Sequence, residues 1–287
     1  MSKVILVTGC STGLGISIAV QAAQAGHIVY ATMRNLTKRD ALDSAASDAG
    51  VSLNVLALDV QSTESVNAAV DQVITDHGRI DVLINNAGAG YVRTTEQATE
   101  EEINWVMDVN FNGVVRGTKA VMPHMRKARS GHVITVSSVG GLVGQPFNEI
   151  YCAAKFAVEG YTEALASYAG PAFGIHFSVV EPGGIATEFA ANVMKQVEAT
   201  GGMLDDEYLP LLQTYVAGAQ NRAADGLYQT ADEVAEVILD VMNAEKPPIR
   251  KRTSEWAEGF ASHKTSGDPD GKKGQKLIQT FFMGADT

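Results

Sequence analysis

The sequence predicts an α/β fold, a doubly wound parallel sheet with helices on both faces, in a chain of 287 residues. Three observations predict it. Short apolar runs alternate with longer amphipathic ones along most of the chain. A glycine-rich turn, VTGCSTGLG, joins the first apolar run to the first amphipathic one. Small polar groups, in INNAG, VTVSS and EPGG, stand where later apolar runs end. Strict alternation implies βαβ units and a parallel sheet. Right-handed crossovers then favour winding in both directions from the first strand.

The elements follow in order. Strands are expected over 4–7, 27–33, 53–58, 80–84, 133–136 and 175–180, with helices over 14–25, 38–49, 65–76 and 149–168. Thr99 with Glu102 three residues later has the form of a capping box, which opens a long helix expected over 99–125. Residues 189–228 break the rhythm with methionines, tyrosines, leucines and a Gly-Gly pair, and read as a helical substrate lid. A helix over 230–242 resumes the pattern. After Pro247-Pro248 comes a basic cluster, Arg250-Lys251-Arg252, then a polar stretch. We expect one catalytic domain over 1–246 that includes the lid, then an edge strand near Ile249 and a loosely packed polar tail over 247–287.

The glycine turn carries the first chemistry. Gly9, Gly13 and Gly15, with Ser11 and Leu14 between them, lie between a strand and a helix. Glycines there let backbone N–H groups and a helix N-terminus approach a pyrophosphate, as in a Rossmann fold. The end of the second strand selects the dinucleotide. An acid there, about 20 residues past the loop, would bond a ribose hydroxyl. VYATMRN has none: Met33 stands in its place and Arg34 follows. A guanidinium can clamp a 2′-phosphate, so NADP(H) is the expected cofactor.

Composition excludes other classes. A net charge of −11 argues against nucleic acid, which needs a basic patch, and against an anionic membrane. No apolar run reaches the roughly 18 residues of a spanning helix. MSKVILVTG reads as a strand rather than a signal peptide. Cys10 and Cys152 suggest neither a disulfide framework nor a metal site, and both read as packing residues. The six histidines are scattered, so no metal is expected. A reduced, cytoplasmic setting is the default.

YCAAK places Tyr151 and Lys155 one helical turn apart. Alone, the pair is compatible with an ordinary surface helix. The spacing arises often by chance, but it also suits a lysine that lowers the tyrosine into the working range of an acid or base. Charges about 6 Å apart at an effective dielectric of ~20 interact by roughly 3 kcal/mol, or about two pKa units. The pentad lies thirteen residues after Ser138. Ser137 points to the opposite face of its strand and reads as structural.

Taken together, the chain resembles the short-chain dehydrogenase/reductase family over residues 3–245. The resemblance rests on Thr8-Gly9-x-x-x-Gly13-x-Gly15, Asp59, Asn85-Asn86-Ala87-Gly88, Asn110 in DVNFNG, Ser138, Tyr151-x-x-x-Lys155 and Pro182-Gly183. TGCSTGLG, VYATMRN and SVGGLVGQPFNEIYCAAKFAVEG are similar to the 17β-hydroxysteroid dehydrogenase type 1 and retinol dehydrogenase group. EPGG and the tail beyond Pro247 depart from it. The resemblance implies that Tyr151 is the general acid or base, with Ser138 holding the carbonyl oxygen. Lys155 would bond the nicotinamide ribose, and Asn110 would hold a water beside Lys155. It also implies cofactor contacts at Asp59 and Val60 about adenine, at Asn86, Ala87 and Gly88, at Pro182 and Gly183, and at Ile185 and Thr187.

The expected reaction is hydride transfer between NADP(H) and an apolar ketone or secondary alcohol. Val143, Phe147 and Met194, with Met203 and Tyr208, are candidates for the substrate wall, though core or lid packing explains each equally well. Family resemblance implies a homodimer or homotetramer. Competing readings are an NADP-binding redox sensor without turnover, an NAD-preferring dehydrogenase of a small polyol or cyclic alcohol, and a sugar-nucleotide epimerase. Retention of Ser138, Tyr151 and Lys155 argues against the sensor, and the chain length against the epimerase.

Overall fold

Apolar runs such as VILV and VLIN become strands buried on both faces, because helices cover the sheet on either side. The computed structural model describes residues 2–273 and Lys276. Its strands are β1 (Val4–Val7), β2 (Ile28–Met33), β3 (Asn54–Ala57), β4 (Val82–Asn85), β5 (Gly131–Val136), β6 (Ile175–Glu181) and β7 (Arg250–Arg252). They form one sheet in the order β3-β2-β1-β4-β5-β6-β7, and every pairing is parallel. The order reverses between β1 and β4, the place where open α/β sheets bind ligands.

The helices are α1 (Leu14–Gln24), α2 (Asp40–Asp48), α3 (Thr63–His77), α4 (Glu100–Met107), α5 (Gly113–Ala128), α6 (Glu149–Phe173), α7 (Phe189–Ala199), α8 (Leu209–Ala224), α9 (Ala231–Asn243) and α10 (Glu255–Thr265). Strand alternation divides the core in two. Ile5, Val7, Val82 and Ile84 pack with Ile18 of α1 and Ile238 of α9. Val4, Leu6 and Leu83 pack on the other face with Val73 of α3, Val121 of α5 and Leu165 of α6. Each such side chain contributes about 1.5–3 kcal/mol by leaving water. Capping boxes at Thr99/Glu102 and Thr230/Glu233 start α4 and α9.

The structure departs from expectation in two places. The helix expected over 99–125 is interrupted: a π-type turn over Asp108–Asn112 separates α4 from α5. Such turns insert one residue into the helical ladder and are frequent at functional sites. The tail is not uniformly loose. Ser254 caps α10, and Ala257, Ala261 and Thr265 are buried. Small residues at four-residue spacing give that helix a packing face that its polar composition hides. The edge strand lies over the basic cluster itself, because Arg250 and Arg252 find carboxylate partners. Residues 274, 275 and 277–287 of the expected tail lie outside the described residues.

Candidate active site

The turn after β1 is built by close approach. Gly9 has φ +75°, and a Cβ there would sit 2.8 Å from the Cα of Ala87. A Cβ on Gly15 would strike the carbonyl oxygen of Gly9. Thr8 and Asn86 tie this turn to the end of β4. The Thr8 hydroxyl accepts from the N–H groups of Asn86 and Ala87, both at 3.0 Å. The Asn86 amide donates to the carbonyls of Thr8 and Gly9 at 2.9 and 3.0 Å. Asn86 is therefore a brace for the glycine turn. No side chain caps α1 at Gly13, so the first N–H groups of the helix are left for an anion.

Ser11 is partly exposed beside this turn, and Leu14 packs into the core beneath it. Thr187 lies against Gly13. Ile185 bridges Gln229 and packs on the core. Cys10 is buried and donates to the Val7 carbonyl, and burial pushes its thiol up to about 12. Burial also raises the Cys152 thiol. Packing accounts for both.

Two residues expected about the adenosine have neighbours of their own in the fold. Met33 is 2% exposed and packs in the core, so no carboxylate stands at the end of β2. Asp59 turns inward to its own loop. Its Oδ1 accepts from Gln61 N–H and its N–H donates to the Ser65 hydroxyl, both at 3.0 Å, which leads the chain into α3. Val60 sits against Gly113, and its carbonyl accepts from Arg116. Arg34, by contrast, is exposed at the end of β2, and among the described residues it enters no hydrogen bond or ion pair.

Ser138 lies two residues past β5 in an extended conformation, and its hydroxyl accepts from Gly140 N–H at 3.0 Å. Val139 N–H donates to the Pro182 carbonyl at 2.9 Å, which holds the Pro182-Gly183 turn beside Ser138. Trp256 of α10 packs on Gly183. Tyr151 and Lys155 come from the first two turns of α6. The Lys155 ammonium donates to the Val136 carbonyl at 2.9 Å and lies 5.7 Å from the Tyr151 ring centroid. Asn110 belongs to the π-type turn and is fully buried.

Electrostatics correct one expectation. Burial pushes the Tyr151 phenol up to about 12, and its hydrogen bond with the Ser138 hydroxyl offsets only part of this. Burial likewise pulls Lys155 down to about 8, against the pull of Glu159. In the free protein, then, the lysine does not bring the phenol to neutrality. Desolvation is the largest influence on each group. Asn110 bonds the backbone: its amide donates to the Ala89 and Val106 carbonyls, both at 2.9 Å, and its Oδ1 accepts from Ala89 N–H at 3.0 Å. It fixes the strand-end loop that carries Gly88, whose Cβ would lie 3.7 Å from the Lys155 ammonium.

The short chain dehydrogenase model matches residues 3–198. The chain belongs to the short-chain dehydrogenase family. Retinol dehydrogenase 8 of Bos taurus is 40% identical to this dehydrogenase over 257 residues, 88% of this chain and 81% of the relative. The 17-beta-hydroxysteroid dehydrogenase type 1 of Homo sapiens is 40% identical over 258 residues, 88% and 77%. The 3-ketodihydrosphingosine reductase of Bacteroides thetaiotaomicron is 38% identical over 282 residues, 98% of each chain. The dehydrogenase is thus an oxidoreductase of a family that acts on alcohols and ketones.

Of the expected substrate-wall residues, Phe147 is buried, takes φ +61° and packs on Tyr215 of α8 at 5.7 Å. Val143 and Met194 are partly exposed. The Tyr208 hydroxyl is engaged by Glu96 rather than by the site. Sequence reasoning missed Phe189, the first residue of α7, whose ring meets Tyr151 edge-on at 6.2 Å. It also missed Tyr215, whose hydroxyl accepts from the Asn148 amide at 2.7 Å. Both come from the 189–228 segment, where no periodic pattern tells which face meets the site. A cavity of about 210 Å³ beside Arg93, Gln97, Thr99, Glu102, Thr200 and Leu204 touches none of Ser138, Tyr151 and Lys155. Among the described residues no helix is long and apolar enough to cross a membrane.

Proposed function

We propose that this dehydrogenase reduces an apolar ketone, or oxidises the matching secondary alcohol, with NADP(H). One observation carries the reading. Ser138, Tyr151 and Lys155 meet on the sheet edge that also presents the uncapped end of α1 and an unengaged Arg34. The site fits a dinucleotide: the Gly9 and Gly15 positions leave no room for a side chain, so backbone N–H groups can reach a pyrophosphate. Arg34, with no carboxylate beside it, suits a 2′-phosphate.

A bound nicotinamide supplies the hydride. The rest belongs to the chain. The Ser138 hydroxyl donates to the substrate carbonyl oxygen and fixes its position. Tyr151 donates its proton to that oxygen as negative charge develops there, or takes it back in the reverse direction. Lys155 stabilises the phenolate that remains, by roughly 3 kcal/mol at about 6 Å and an effective dielectric of ~20. Asn110 holds the Ala89 loop against Lys155. The segment 189–228 acts as the lid: Phe189 covers Tyr151, and Val143, Phe147 and Met194 supply apolar wall. The related proteins are named for a retinoid, a steroid and a sphingoid ketone, all largely apolar, which supports an apolar substrate.

The protein works in the cytoplasm as a homodimer or homotetramer, with α5 and α6 facing a partner. The exposed Phe156 and Tyr168 of α6 support that face. Light scattering at micromolar concentration tests the assembly, and a monomer would contradict it. The function is tested by following NADPH and NADH oxidation across a panel of steroid, retinoid, acyl and cyclic ketones. Turnover is expected with apolar members and with NADPH. Cofactor binding without turnover of any ketone would favour a sensor instead.

A further inference from the structure

Tyr151, Lys155 and Glu159 follow one another at four-residue intervals on α6, on one face of the helix. The mechanism above uses the first two and leaves Glu159 without a task. Yet Glu159 is only 6% exposed, and among the described residues no charged group or backbone N–H donates to its carboxyl, which meets only the Ser137 hydroxyl. A carboxylate so placed would be a buried and unpaired charge, which is strongly unfavourable.

Glu181, the last residue of β6, is fully buried beside it. Its Oε2 accepts from Arg252 Nη1 at 3.1 Å, and its Oε1 has no donor. Two carboxyl groups that offer only acceptors can bond each other once one holds a proton. Gly141 makes the space. A Cβ there would lie 2.8 Å from the Ser137 hydroxyl and 3.0 Å from Glu159 Oε1.

The Ser137 hydroxyl is the neutral donor nearest Glu159, and among the described residues the neighbouring arginines are taken by other carboxylates. On α6, Glu163 takes the Arg250 guanidinium at 2.7 Å. On β7, Arg250 also lies near Asp268, and Arg252 is shared between Glu181 and Glu258 of α10. Lys155 is the remaining cation, one turn away. Burial first, and then the charge of Glu181, raise the Glu159 carboxyl well above the ordinary carboxylate range. An ionised Glu159 in turn favours the charged form of Lys155.

We propose that Glu159 and Glu181 share one proton, and that this pair, acting through Lys155, sets the charge beneath Tyr151. Glu159 is thus a positioning residue for the reaction, an inference that rests on the roles of Tyr151 and Lys155 given above. While the pair keeps its proton, its one negative charge is held by Arg252 on Glu181, and none on Glu159 draws Lys155 away from Tyr151 and the Val136 carbonyl. As pH rises and the pair gives the proton up, the new carboxylate holds the ammonium. Lys155 therefore stays charged to higher pH than burial alone would allow.

The test compares wild type with Glu159→Gln, whose amide has the shape of the neutral acid, can donate to Glu181, and cannot ionise. kcat/KM for ketone reduction is measured against pH, with melting temperature and infrared spectra alongside. The variant is expected to melt no lower than wild type. The basic limb of its profile should move toward acid by about one pH unit, because Lys155 loses its late support. The wild-type spectrum near neutral pH should contain the carbonyl band of a neutral carboxylic acid, and the variant should lack it. A basic limb that does not move overturns the positioning role. If the variant fails to fold, the wild-type spectrum decides: with exposed carboxyls ionised, the absence of any neutral-acid band overturns the shared proton. Absence of ketone turnover with that band present would sink the reaction and with it the positioning role, while the shared proton would stand.

Discussion

The guanidinium of Arg93 donates to both oxygens of Thr200, to the hydroxyl at 2.9 Å and to the carbonyl at 3.1 Å. The same buried group reaches the carbonyls of Gly202 at 2.6 Å and Val197 at 3.4 Å. A cation thus closes the carboxyl end of α7, where helix carbonyls lack partners. The Arg93 N–H donates to the Phe147 carbonyl at 3.0 Å, so one residue joins α7 to the segment that leads into α6.

Arg93→Ala should release that end of α7. Several carbonyls would lose a charged donor, at a cost of roughly 1.5–3 kcal/mol. Amide exchange over 189–202 should accelerate by about tenfold or more, with the β1 and β4 amides unchanged. Equal exchange in variant and wild type would mean that Arg93 does not hold the segment.

Tyr151→Phe keeps the ring against Phe189 and removes the proton. kcat should fall by about 10² or more, with the dissociation constant for NADPH little changed. Activity within a few-fold of wild type would remove Tyr151 as the acid.

Arg34→Ala tests the cofactor assignment. A charge-assisted hydrogen bond contributes about 1.5–3 kcal/mol, so kcat/KM with NADPH should drop by roughly ten- to a hundredfold and with NADH hardly at all. Ionic strength must be fixed, since an exposed arginine–phosphate pair is screened. A wild-type enzyme that prefers NADH would reverse the assignment. Substitution of Met33 by Asp is a poorer probe, because it places a charge in the core.

His132 gives a pH dependence of stability. Burial, with some repulsion from His176 and Lys3, pulls it down to about 3. The unfolded chain takes up a proton near pH 6.5 that the folded chain refuses. Stability is therefore lost as pH falls below about 6.5. Between pH 6.5 and 4.5 the loss should be about 2 kcal/mol, or roughly 4–8 °C in melting temperature. His132→Gln should flatten that slope. An identical slope would assign the acid sensitivity to other groups.

Most of the strand and helix order was legible from the sequence, because burial on both faces leaves continuous apolar runs in β1, β4 and β5; the edge strand β7, Arg250–Arg252, has no such run. The glycine turn, Ser138, Tyr151 and Lys155 were legible too. Local spacing suffices where a strand end or one helical turn sets the geometry. Burial was not legible, since it depends on what other segments cover. The tertiary structure alone put Met33 in the core, pushed the Tyr151 phenol up rather than down, and gave Asn110 to the Ala89 loop. It brought Phe189 and Arg93 to their partners across more than thirty residues of chain. It also set Glu159 against Glu181 in a dry site, because the charge a side chain can carry depends on neighbours that only folding supplies.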